Sequence, residues 1–252
     1  MALHRENGGK GWRLARMALL CWLVLPIAGT ALAHTPEEKA FYLQSRIVLN
    51  LNPRDAVAGN AVGVWHLEYN ELAQSRAAFE GVLSHHPREP IAAVGLALVL
   101  MATGANAEAL THLNAHGLQP ATAPEGMRPF LSLVRARLLF HAGGAENLRL
   151  ARALLEGTMA GAANPHDHHY WLGRITEAEG DLAGAAAHHE QAIAADPFWL
   201  QPYTRLAQIH RARGEHAQAN KRLKDIVELN NPSPYPNNDI SVMWRFVMRG
   251  AQ

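Results

Sequence analysis

Fifteen histidines in 252 residues are the side chains of this sequence best equipped for chemistry, and what they offer is metal binding through neutral imidazole. His166, His168 and His169 cluster at a helix entrance, His112 and His116 stand one helical turn apart, and His85-His86 and His188-His189 are adjacent pairs. The best metal candidate is the group His166, His168 and His169. No cysteine or clear carboxylate partner completes a tetrahedral set around it, so no metal or other cofactor is expected. The repeat register described below weakens the case further, because His66, His116, His189 and His210 fall where a helix pair packs Tyr, Ala or Phe.

Catalytic patterns are missing as well. His189-Glu190 opens like a zinc-protease helix, but Ile193 stands where the second histidine is needed. The chain has no phosphate-cradling glycine loop with Lys-Ser/Thr, no Gly-x-Ser-x-Gly elbow and no cysteine nucleophile. Cys21, the single cysteine, lies inside an apolar run. The chain is not expected to be an enzyme.

The elements that hold these residues repeat every 34 positions. Gly63 is followed by Ala97, Asn70 by Gly104, Ser75 by Ala109, Phe79 by Leu113 and Pro53 by Pro87. Further on, Gly173 leads to Ala207, Gly180 to Gly214 and Ala185 to Ala219. Such a period marks a solenoid, in which each helix pair buries its apolar face only by stacking on a neighbour. The small residue on the first helix permits close approach. Asn70, Gly104, Gly180 and Gly214 can turn the chain back through the left-handed region, and Phe79, Leu113 and Leu223 fill the space between helices.

These residues resemble the tetratricopeptide repeat (TPR). The resemblance is carried by Tyr170-Trp171-Leu172-Gly173 with Gly180-Asp181, Ala185, Ala192 and Pro197, and by Ala61-Val62-Gly63 with Phe79 and Pro87. It implies an all-α, right-handed α-solenoid of helix hairpins, with four clear units beginning near Ala56, Pro90, His166 and Leu200. A degenerate unit is expected around Phe130 to Met159, turning at Gly143-Gly144, and the helix from Glu37 to Asn52 forms a half-unit cap. The resulting organisation is a segment 1–33, a cap at 34–55, two units at 56–119, a linker and degenerate unit at 120–165, two units at 166–231 and a tail at 232–252.

In a stack of hairpins the first helices line the concave face, and a partner-binding surface follows from register. It comprises Val57, Val64 and Leu67, then Ile91, Val94, Leu98 and Met101, then Asp167, Tyr170, Arg174 and Glu177, and finally Gln201, Thr204, Gln208 and Arg211. One end is apolar and suits an amphipathic helix, unless the protein's own capping helix or linker fills it. At the polar end, Arg174 and Arg211 offer a carboxylate contact, although the family's Lys and Asn clamp is not reproduced.

Both termini add information. Ile240, Met243, Trp244, Val247 and Met248 fall at helical spacing after a proline-punctuated stretch, which predicts a short amphipathic helix capping the last repeat or supporting self-association. At the other end, Arg5, Lys10, Arg13 and Arg16 precede an apolar run to Ala33 that exits through Ala31-Leu32-Ala33. These are the parts of a secretory signal peptide, cleaved after Ala33. Membrane contact is expected only through that segment before cleavage. His34 would then be the first residue, though no second histidine lies close enough to complete a copper chelate.

Without residues 1–33, Lys and Arg fall from 23 to 19 and Asp and Glu from 22 to 21, a net of about −2, which gives no basic stripe for nucleic acid. The expected function is an exported, periplasmic scaffold. It binds a partner peptide or subunit on its concave face and assists assembly or maintenance of an envelope complex. The alternative is a metal-handling or metalloprotein-maturation accessory using surface histidines.

Overall fold

A computed structural model describes residues 36–229 together with Met243 and Val247; the predicted signal segment lies outside the described residues. Among them are eleven α-helices and no strand. A lone helix α1 (Pro36–Leu51) precedes five hairpins: α2 (Ala56–Glu68) with α3 (Leu72–His85), α4 (Pro90–Ala102) with α5 (Asn106–Ala115), α6 (Arg128–Ala142) with α7 (Ala145–Thr158), α8 (Pro165–Ala178) with α9 (Leu182–Ala195), and α10 (Leu200–Ala212) with α11 (His216–Glu228). The architecture is the right-handed α-solenoid expected from the repeat. No described helix is long and apolar enough to cross a membrane.

Local chemistry repeats with the sequence. The Asp55 carboxylate accepts from the Ala58 N–H at 2.8 Å and the Glu89 carboxylate, 34 residues on, from the Ala92 N–H at 2.6 Å. Each satisfies a backbone donor that the first turn of its helix leaves free. Asn70, Gly104, Gly180 and Gly214 all have positive φ, and each is followed by the same closing bond. The N–H of Glu71 reaches the His66 carbonyl, Ala105 reaches Leu100, Asp181 reaches Thr176 and Glu215 reaches His210, at 2.8 to 3.1 Å. One turn geometry therefore closes four of the five hairpins.

The degenerate unit is a complete hairpin with a different turn. Gly143 and Gly144 both have positive φ, and Ala151 beyond them is fully buried. The linker before it is packed against neighbouring elements. Arg135 on α6 donates to the Leu118 carbonyl at 2.9 Å and to Asn114 Oδ1 at 2.7 Å, while Ala123 and Met127 bury their side chains. Ala97 and Gly173 stand 76 residues apart where two periods give 68, and this stapled segment absorbs the extra eight.

Between helices, packing depends on residues without a side chain. A Cβ on Gly63 would lie 2.5 Å from the Phe79 ring, and one on Gly95 would collide with the same ring. Phe79 of α3 thus wedges between α2 and α4, while the Ser75 hydroxyl donates to the Gly63 carbonyl at 2.8 Å. His189 of α9 takes the corresponding place against Gly173. Leu223 departs from the expectation: it is 45% exposed, because no described helix follows α11 to cover it.

Truncating Phe79→Ala should cost about 3–5 kcal/mol in urea unfolding, as for other buried aromatics. Gly63→Val, which overpacks the same site, should cost about 1–3 kcal/mol. The double variant should cost less than the two together, since each relieves the defect the other creates.

Candidate functional site

The first helices carry the predicted surface, and its two halves differ. On α2, Val64 and Leu67 are buried and Val57 half-buried; on α4, Val94 and Leu98 are buried, with Ile91 and Met101 half-buried. All nine residues from 92 to 100 are buried, so α4 is covered on every side. Phe79 of α3 lies against Gly95, and His112 of α5 donates from Nε2 to the Ala93 carbonyl at 3.0 Å. Met243 and Val247, both helical and fully buried, complete the packing in one apolar cluster with Val64, Val94 and Leu98.

This corrects the placement expected for the tail. Met243 and Val247 join the N-terminal core and do not cap the last repeat, where Leu223 and Val227 remain exposed. The physical reason is apolar area: α4 offers an unbroken apolar wall, whereas α10 presents polar side chains. In this arrangement Met243 and Val247 are not available for self-association. Ile240, Trp244 and Met248 lie outside the described residues.

At the polar end, Glu177 is an internal hub. Its carboxylate accepts from His189 Nε2 at 2.8 Å, from Arg205 Nε at 3.1 Å and from a second Arg205 nitrogen at still closer range. Burial acts to raise the Glu177 carboxyl, but the hydrogen bonds from His189 and Arg205 outweigh it and hold the group below its ordinary range. Three helices, α8, α9 and α10, meet at this one side chain.

Arg174 is also committed. Its guanidinium lies 5.1 Å from the Phe140 ring centre and 5.8 Å from that of Trp171, and it reaches the Tyr170 hydroxyl at 3.4 Å. Arg137 approaches the same indole from α6, forming a layer of cations and rings between the third and fourth hairpins. Asp167 and Tyr170 are buried, while Gln201, Thr204, Gln208 and Arg211 are all exposed. Arg174 and Arg211 therefore do not form a matched pair: one is held in a stack and the other faces solvent.

The histidines divide among structural partners. His166 packs edge-on to Trp199 with Asp167 Oδ2 at 3.7 Å, His168 meets the Thr158 hydroxyl at 3.4 Å, and His169 faces His188. The three side chains of the candidate group thus have different neighbours. Among the described residues no three or more His, Cys, Asp or Glu are placed to hold a metal ion. His112 and His116 each donate to a backbone carbonyl, of Ala93 and Pro87 respectively. His66 meets Glu71 at 2.5 Å and His210 meets Glu215 at 2.6 Å, five residues on in both cases, so one repeated bond bridges two inter-helix turns.

Arg205, Arg137 and Phe140 were not singled out from the sequence, and each matters to the arrangement. Arg205 lies one position past Thr204, which was assigned to the groove. Only its partner Glu177, 28 residues away, reveals its role. For Phe140 and Arg137 the degenerate unit hides the register that would have flagged them.

Residues 66–121 match the tetratricopeptide repeat family model. Among solved structures, the chain is similar to one in the APC/C hetero-tetramer Cut9-Hcn1 with a TM-score of 0.61 at 19% identity, covering 86% of this chain and only 41% of that one. YrrB, described as a TPR protein with an unusual peptide-binding site, gives a TM-score of 0.51 at 16% identity over 80% of this chain and 97% of its own. The human IFIT1 dimer with m7Gppp-AAAA gives 0.62 at 14% identity over 87% and 56%. No curated protein matches by sequence. Likeness at these identities establishes the fold alone.

Burial lowers the His168 imidazole from 6.5 to about 4. Because the unfolded chain takes up this proton first, the stability gained by keeping His168 neutral is complete above pH 6.5 and lost as pH falls towards 4. His168→Gln should flatten that acid slope by about 1–3 kcal/mol in denaturant titrations. Glu177→Ala, which strands buried His189, should cost about 3 kcal/mol at neutral pH.

Proposed function

Because the chain is a tetratricopeptide-repeat protein with an α-solenoid fold, we propose that it is a protein-interaction scaffold whose first helices bind a segment of a partner protein. The observation that carries this reading is the face of α10. Gln201, Thr204, Gln208 and Arg211 are exposed at successive spacings of three, four and three, which aligns them along one side of the helix. They make a polar row with one cation at its end, in which Gln208 Oε1 also accepts from Arg205 and the Thr204 hydroxyl donates to the Leu200 carbonyl. A row of this kind suits a polar peptide carrying an acidic group, which Arg211 would pair with in bidentate fashion.

The neighbours support the same reading. YrrB is described by its peptide-binding site and Cut9-Hcn1 by its assembly with a second subunit. The partner is a protein or peptide rather than nucleic acid, since the charge of residues 34–252 is slightly negative and shows no basic stripe. The cationic start, apolar run and Ala31-Leu32-Ala33 exit support export with cleavage after Ala33. The compartment is the periplasm, where the scaffold assists an envelope complex.

Capture with the tagged full chain from the exported fraction should recover one partner in stoichiometric amount. Gln201→Ala combined with Arg211→Glu should reduce recovery at least tenfold without moving the thermal transition, because both side chains are exposed. Unchanged recovery would remove α10 from the binding surface. N-terminal sequencing of exported protein should begin at His34, and a start upstream contradicts the cleavage.

A further inference from the structure

Arg174 is held by aromatic rings and left short of acceptors. Its guanidinium lies 5.1 Å from the Phe140 ring centre and 5.8 Å from that of Trp171, and the two rings meet edge to face at 5.4 Å. Ring contacts attract the cation but supply no carbonyl or carboxylate oxygen, so its five N–H donors still call for acceptors. Among the described residues the supply is thin. The Tyr170 hydroxyl accepts from one terminal nitrogen at 3.4 Å, and Nε is buried without a hydrogen-bond partner. The Glu177 carboxylate stands 3.9 Å from Nε and is already engaged by His189 and Arg205. A guanidinium buried in this state leaves hydrogen-bonding capacity unused, and 25% of the side chain remains open to solvent.

The surroundings are positive. A second guanidinium, Arg137 of α6, lies 5.6 Å from the same indole, and the ring of the exposed His141 is 5.9 Å from it. Burial first, and then the Arg137 and Arg174 charges, lower the His141 imidazole below its ordinary value. Three basic side chains thus converge on Trp171 where the first helices α6 and α8 meet. A planar cation already fixed by rings loses little freedom on binding, and its fork matches the two oxygens of a carboxylate.

We propose that Arg174 is the receptor for an acidic side chain of a partner peptide, with Phe140 and Trp171 receiving an apolar residue beside it. This rests on the scaffold reading above and names the residue chemistry that the scaffold selects. A segment lying along the first helices and continuing to the polar row of α10 passes α8 with its backbone unbroken. The carboxylate therefore comes from Glu or Asp within the segment and not from a chain end.

The test uses the full chain and three short peptides: acetyl-Ala-Leu-Glu-Leu-Ala-amide, the same blocked peptide with Gln in place of Glu, and the Gln peptide with a free C-terminal carboxylate. Binding is followed by the NMR signal of the His141 ring, identified by its loss in His141→Gln. The Glu peptide should shift that signal in a saturable manner and raise the His141 pKa, because a carboxylate offsets the two neighbouring cations. The blocked Gln peptide should bind at least tenfold more weakly. Arg174→Lys, which keeps the charge and loses the planar fork, should weaken the Glu peptide at least tenfold while the thermal transition stays in place. Equal binding of the two blocked peptides, or a His141 pKa unmoved at saturation, overturns the receptor. A free-ended Gln peptide that binds as tightly as the Glu peptide overturns the side-chain source. Partner capture that is equal for the unmodified chain and Arg174→Lys sinks the receptor and leaves the scaffold standing, whereas peptide binding with no partner recovered does the reverse.

Discussion

The array depends on close approach of paired helices. A hairpin closes where a small residue on its first helix lets a large side chain of its second come in, and Gly63 with Phe79 and Gly173 with His189 are the two places where the fit leaves no room even for a Cβ. Phe79 extends the principle by meeting Gly95 of the following unit too. One side chain then fixes the spacing within a hairpin and the spacing between hairpins. Solenoid stability is the sum of such local and nearest-neighbour terms, so this ring couples both.

Replacing Phe with His at the equivalent site changes what the contact requires. A buried phenyl ring needs only neighbours, whereas the imidazole of His189 needs a polar partner, and Glu177 supplies it. Glu177 in turn draws Arg205 from the next hairpin. The interface made by an aromatic wedge in the N-terminal units is thus made by a charged network in the C-terminal ones. Apolar packing in one half and a hydrogen-bonded network in the other explain why the first helices look so different at the two ends.

Features set by local rules were legible in the sequence. Asn70, Gly104, Gly180 and Gly214 mark their turns because the left-handed conformation is demanded by backbone geometry alone. Gly63 and Phe79 reveal their contact because the repeat places them at fixed offsets. What stayed hidden depends on long-range partners. Glu177 and Arg174 sit at groove positions by register, yet the first is bound by His189 and Arg205 and the second is stacked on Phe140 and Trp171. Periodicity says which face a residue occupies and is silent about a neighbour 28 positions away. The tail's apolar stripe was readable, but its seat was not, because the stripe matches any apolar wall.

That seat has a consequence for biosynthesis. Val247 completes a core begun by Val64, more than 180 residues earlier, and at 5–20 residues per second the delay is roughly 10 to 35 s. Until then the chain lacks part of the cover of α4, the most apolar of the described helices. Folding from the first hairpin onward is therefore unfinished until the closing segment arrives, and the order in which the hairpins form does not by itself complete the core.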